Sequence, residues 1–235
     1  MVEGRSYNNT AAVTGRLEIV FYTDPLCCWS RALRPHLARL ARELDDALQI
    51  RYCMGGLIES WKNYNDTEHA VCKPVQMGPL WMQASHITGI PMNSTIWATD
   101  PPESSYLACT AVKAVHLQDG QAAAVYFHLL QDALMGHGVN IARQRALITV
   151  AAELAAVFPA FDLQRFKDDL VNGEGFKAFA ADLAESRARN ITRFPTLLMS
   201  TGTDKGAILT GYKPYETIID YIEKLAGYDT RYAGA

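Results

Sequence analysis

A β-branched and aromatic run, LEIVFYT at residues 17–23, ends on Asp24-Pro25 and passes straight into a helical pattern. This strand-to-helix junction constrains the fold more than any other stretch, because a short apolar strand closed by a turn must be buried in a sheet. Apolar side chains at Leu33, Leu37, Leu40, Leu44 and Leu48 then repeat every three to four positions, giving the helix one face to pack on that sheet. Pro35 falls inside the pattern, removes a backbone donor and predicts a kink roughly two turns from the helix start. A second strand, LQIRYCM at 48–54, stops at Gly55-Gly56. Strand, helix and strand in this order imply parallel pairing through a right-handed crossover.

From Trp61 to about Asn190 no convincing strand can be read. DPPESSYLACTAVKAVHL offers Asp100 as a cap with Pro101 in the first helical turn, and Leu107, Ala108, Ala111, Val112 and Val115 form its apolar face. Further helices are predicted in AAAVYFHLLQDALM, RQRALITVAAELAAV, DLQRFKDDLV and GFKAFAADLAESRARN, while the Gly- and Pro-rich stretch from Trp61 to Pro101 reads as loop and short helix. Strand signals return in FPTLLMST and AILTG, separated by a turn containing Gly202 and Gly206, which predicts a hairpin. KPYETIIDYIEKLA closes the pattern as a helix beginning with Pro214 and packing Ile218, Ile222 and Leu225. The order is an α/β one: β-α-β, a long all-helical insertion, then β-β-α. It predicts a discontinuous sheet domain, 16–61 with 191–228, an inserted helical domain at 62–190, and loose ends at 1–15 and 229–235.

With 235 residues, 49% of them hydrophobic, the chain can build a core without disulfides. Its five cysteines, an odd number spread along the chain, suit a reducing compartment, so any disulfide is expected to be transient. A net charge of -3 with scattered Lys and Arg argues against nucleic acid and anionic membrane as partners. No apolar run has the length of a signal peptide or a spanning helix, and a soluble cytoplasmic protein is the expectation.

The order of elements, with cysteine at the first strand-to-helix turn and proline leading the third strand, resembles the thioredoxin fold, and the long helical insertion resembles its DsbA branch. DPLCCW at 24–29, RFPTLL at 193–198 and GYKPYETI at 211–218 carry the likeness, which spans roughly residues 16–228. The resemblance implies a cis Phe194-Pro195 bond and a substrate-facing loop of Phe194, Pro195 and Thr196, with Trp29 beside it and a Thr196 hydroxyl at the rim. It also implies an active-site motif of Cys27, Cys28, Trp29 and Ser30. Two positions depart from the family pattern: Ser30 stands where the second thiol of C-x-x-C belongs, and Phe21 stands where the buried acid serving that thiol belongs.

A cysteine just ahead of a helix meets unpaired N–H groups and the positive end of the dipole, so Cys27 is expected to favour its thiolate. Cys28 cannot replace the missing partner as a stable disulfide, since adjacent Cα atoms lie about 3.8 Å apart and ordinary disulfides span roughly 4.4–6.8 Å. The expected cycle is therefore monothiol, with Cys27 taking up glutathione from a mixed disulfide and free glutathione releasing it; glutathione is a co-substrate and no tightly bound cofactor is expected. Partners are then protein or small-molecule thiols and disulfides. Cys53, Cys72 and Cys109 read as small hydrophobes or incidental thiols, and the six histidines lack the spacing of a metal site. Trp81, Trp97, Met77 and Met82 read first as core and second as walls of a cleft.

Two other functions stay open. Kappa-class glutathione transferases and 2-hydroxychromene-2-carboxylate isomerases share this inserted architecture, but they often carry serine where this chain has Cys27. Some DsbA-like relatives are non-catalytic adaptors that deliver clients to proteases, and loss of the second thiol and of the buried acid is what such drift leaves. A buried Cys27 favours the adaptor, whereas an accessible thiolate favours exchange.

Overall fold

The computed structural model describes residues 16–202 and 206–225; the expected loose ends and positions 203–205 of the hairpin turn lie outside the described residues. Strand β1 (Leu17–Thr23) pairs in parallel with β2 (Leu48–Met54) and antiparallel with β3 (Thr196–Ser200), and β3 pairs antiparallel with β4 (Gly206–Thr210). The sheet order is β2-β1-β3-β4, so the first strand is internal and its side chains at Leu17, Ile19, Phe21 and Tyr22 are buried. This is the thioredoxin fold with a helical insertion.

Helix α1 (Cys28–Leu44) turns Cys28, Ala32, Leu33, Leu37 and Leu40 inward, as their spacing requires. The apolar series does not continue to Leu48 within the helix. Asp45 adopts a φ of 41°, a short turn over Asp45–Ala47 follows, and Leu48 opens β2 instead. Pro35 lies inside α1 on an exposed side.

The insertion consists of α2 (Met77–Thr88), α3 (Ile96–Thr99), α4 (Tyr106–His116), α5 (Gly120–Gln131), α6 (Gln144–Val157), α7 (Leu163–Val171) and α8 (Glu174–Ala188), with a π turn over Asp132–Gly136 continuing α5. Helix α4 is its hub, packing against α5, α7 and α8. It begins at Tyr106, and Asp100 is not its cap. Consecutive prolines at 101 and 102 hold the residue before each out of the helical region, and Asp100 instead accepts from Asn140 at 3.1 Å and pairs with Arg143 at 2.5 Å.

One buried ion pair fastens insertion to sheet. Lys113 Nζ on α4 lies 3.0 Å from Asp182 Oδ1 on α8, and Asp182 Oδ2 accepts the Met54 N–H at the end of β2 at 2.8 Å. Met54 immediately precedes Gly55-Gly56, so this pair fixes where the chain leaves the sheet. Helix α9 (Tyr215–Leu225) packs Ile218 and Ile222 into the core, with Leu225 against its edge.

Candidate active site

The site is assembled where β1 ends. Asp24 is fully buried; its Oδ1 accepts the Leu26 N–H at 2.8 Å, and its Oδ2 accepts the Leu57 N–H at 2.6 Å and the Cys109 thiol at 3.3 Å. The Asp24 carbonyl accepts the Cys27 N–H at 3.0 Å, closing the turn that delivers Cys27 to the N-cap of α1.

Cys27 is 4% exposed, and its thiol donates to the Phe194 carbonyl at 3.5 Å. Burial pushes the Cys27 thiol up to about 11, with the Asp24 charge adding to the rise, while the Ser30 hydroxyl and the amides of Ser30 and Trp29 pull it back. The expected thiolate is thus corrected to a resting thiol: taking the sulfur out of water costs its charged form more than the first helical turn returns.

Cys28 belongs to the hydrophobic core as well as to the cavity wall, and burial followed by the neighbouring Cys27 drives its thiol well up. Both cysteines are free. Ser30 is buried and its hydroxyl makes no hydrogen bond of normal geometry, although it is near enough to the Cys27 sulfur to favour the thiolate. Trp29 is half-buried, its ring 6.0 Å from that of Tyr212, whose hydroxyl pairs with His36 Nε2 at 3.0 Å.

The Phe194-Pro195 peptide is cis. The Phe194 ring lies so close to Gly55 that a Cβ there would stand 1.9 Å from its tip, which explains glycine at the end of β2. Pro195 is buried, and its carbonyl accepts the Gly211 N–H at 2.8 Å. Thr196 does not offer a hydroxyl at the rim: it is 1% exposed, and its Oγ1 donates to the Arg193 carbonyl at 2.8 Å, bracing the loop from within.

A cavity of about 660 Å³ opens between sheet and insertion, with Cys27, Trp29, Tyr64, Trp81, Arg193 and Tyr212 among its walls. A hydrogen-bonded pair, Asp66 with His69 at 2.8 Å, and an ion pair, Glu68 with Arg193 at 2.7 Å, also line it. Met77 and Trp81 serve as both core and wall, Trp97 packs behind Trp81 at 5.1 Å, and Met82 is 63% exposed outside the cavity.

Of the remaining cysteines only Cys109 touches this arrangement. Cys53 is buried against the Asp182 carbonyl and the Ser186 hydroxyl of α8, Cys109 is bound to Asp24, and Cys72 is exposed. Sequence reasoning missed Asp24, Gly55, Arg193 and Tyr212 as site residues. Three of them stand in the stretches DPLCCW, RFPTLL and GYKPYETI, and Gly55 was legible only as a strand stop. Tyr64 carried no signal at all.

The family model described as Thioredoxin matches residues 20–220. The ClpXP adapter protein SpxH of Halalkalibacterium halodurans is 27% identical over 216 residues, covering 90% of this chain and 68% of the relative. Among solved structures, the cytosolic disulfide reductase DsbM from Pseudomonas aeruginosa superposes with a TM-score of 0.66 at 21% identity, covering 88% of this chain and 99% of that one. The same reductase determined with GSH gives a TM-score of 0.64 at 20% identity, covering 88% and 100%. Among the described residues, no helix is long and apolar enough to cross a membrane.

Proposed function

The chain belongs to the thioredoxin family, and from that premise we propose that it is a DsbA-like thiol-disulfide oxidoreductase working through one thiol, Cys27, with glutathione as co-substrate. The observation that carries this is the position of the Cys27 sulfur: at the N-cap of α1, on the wall of the cavity, and 3.5 Å from the backbone of the loop leading into Pro195. An extended substrate pairing with the Phe194 backbone would bring its own sulfur to that point.

The cycle balances with a single protein thiol. Cys27 gives up its proton, and its thiolate attacks the glutathione sulfur of a mixed disulfide. The substrate sulfur leaves as a thiolate and takes a proton, and Cys27 is left joined to glutathione. A second glutathione thiolate then attacks that bond, giving glutathione disulfide and restoring Cys27. Ser30 cannot compete for the intermediate as a thiol would, so release waits on external glutathione.

The test is reduction of a glutathionylated peptide by glutathione in the presence of the purified protein. Catalysis that vanishes in Cys27→Ala supports the cycle; equal rates with and without the thiol overturn it.

A second reading is an adaptor that binds a protein client without chemistry. The relationship to an adapter protein and the 4% exposure of Cys27 favour it. In that case client binding survives Cys27→Ala unchanged.

A further inference from the structure

The mechanism leaves one buried acid unused. Asp24 sits three residues before Cys27, and its hydrogen bonds reach three separate walls: the Leu26 amide of the β1-to-α1 turn, the Leu57 amide of the segment after β2, and the Cys109 thiol of α4. Leu26 and Leu57 both line the cavity that Cys27 enters. Two of the partners are amides, which can only donate, and the Cys109 thiol completes a set that suits a carboxylate.

We infer that Asp24 is a positioning residue for Cys27: its buried carboxylate holds the turn, the loop and α4 around the sulfur, and its negative charge adds to burial in keeping that sulfur a thiol in the resting protein. This rests on the reading of Cys27 as the exchanging thiol. In a dry site two acids cannot both ionise cheaply, so whichever holds the charge opposes the other. Burial pushes the Asp24 carboxyl above the ordinary carboxylate range, and hydrogen bonds from the Leu57 amide, the Ser105 hydroxyl, the Leu26 amide and the Cys109 thiol pull it back; on the inference those bonds hold the charge there. Phe21 stands six residues before Cys27, and Asp24 brings a carboxyl three residues nearer the nucleophile.

The other groups that face this pair are identifiable. Cys28 adjoins Cys27 on α1, Cys109 and Tyr106 come from α4, and Tyr64 comes from the segment after β2. Asp66, Glu68, His69 and Arg193 line the cavity beyond, Asp66 hydrogen-bonded to His69 and Glu68 paired with Arg193. Burial raises the Cys27 thiol most, and Asp24 is the charged group that adds to it.

The experiment is the pH profile of Cys27 alkylation by iodoacetamide, read by peptide mass spectrometry in the wild type and in Asp24→Asn, with circular dichroism as the check on folding. The expected result is a midpoint lower by about one pH unit or more in the variant. A midpoint that is unchanged or higher overturns the inference. If Asp24→Asn does not fold, Cys109→Ala and Cys109→Ser decide: loss of the donor lets Asp24 take up a proton and lowers the Cys27 midpoint, whereas serine, which keeps a donor, holds it at the wild-type value. Equal midpoints in that pair contradict the inference. Alkylation reports the charge on Cys27 whether or not the protein catalyses exchange, so a wild type without exchange activity would overturn the function proposed above and leave this result readable.

Discussion

The thiol of Cys27 and the carbonyl of Phe194 meet at 3.5 Å although 167 positions separate them in sequence. The two ends of the chain thus build one site: the first supplies the sulfur, the last supplies the backbone that a substrate would use, and the insertion between them walls the cavity. The same carbonyl that would receive a substrate strand holds the resting thiol. On the proposed function, docking and release of the thiol would then be coupled by competition for one acceptor.

Replacing Gly55 by alanine puts a methyl group where the Phe194 ring lies. The ring must swing away, which is expected to cost about 1–3 kcal/mol as overpacking does. It should also loosen the loop over Cys27 and quicken its alkylation. Thermal unfolding together with alkylation at a fixed pH checks both effects; an unchanged melting temperature and rate would show that Phe194 does not depend on Gly55.

Lys113→Met strips the buried Asp182 of its cation while leaving the Met54 N–H in place. The expected loss is about 3–5 kcal/mol by urea denaturation, because an unpaired buried charge remains. Adding Asp182→Leu should recover part of that loss. A single variant as stable as the wild type would mean that the pair does not fasten the insertion to the sheet.

Acid should destabilise the protein through His128. Burial, with Arg34 adding to it, lowers this imidazole from 6.5 to about 4, and its Nε2 pairs with the Tyr52 hydroxyl at 3.2 Å. Below about 6.5 the unfolded chain takes up a proton that the folded chain refuses, so stability falls as pH drops from about 6.5 towards 4, by up to roughly 3 kcal/mol. Urea midpoints near pH 7 and near pH 4.5 should converge in His128→Gln relative to the wild type. Equal pH sensitivity in both proteins would assign the loss to other groups.

The sheet and its connections were legible because each strand is a short apolar run bounded by turn residues, as LEIVFYT before Asp24-Pro25 and LQIRYCM before Gly55-Gly56 show. The start of α4 was misread because Asp100 has the chemistry of a cap, while the two prolines after it forbid the helix it would cap. The position of Cys27 could be read from its motif, but its charge state could not. Whether a helix terminus or desolvation wins depends on how deeply the sulfur is buried, and that depth is set by Phe194 and by the insertion, both remote in sequence. Asp24 was visible within DPLCCW, yet its bonds run to Leu57 in the segment after β2 and to Cys109 in the insertion, both remote in sequence.

The most direct test of the central claim is the mass of the Cys27 peptide after the protein is mixed with oxidised glutathione, from about pH 7 to about pH 10. The exposed Cys72 serves as the internal standard for an unhindered thiol. A mixed disulfide on Cys27 that forms with rising pH and is cleared by reduced glutathione is the predicted result. Modification confined to Cys72 across the whole range would contradict it, and would leave the fold as a scaffold for binding.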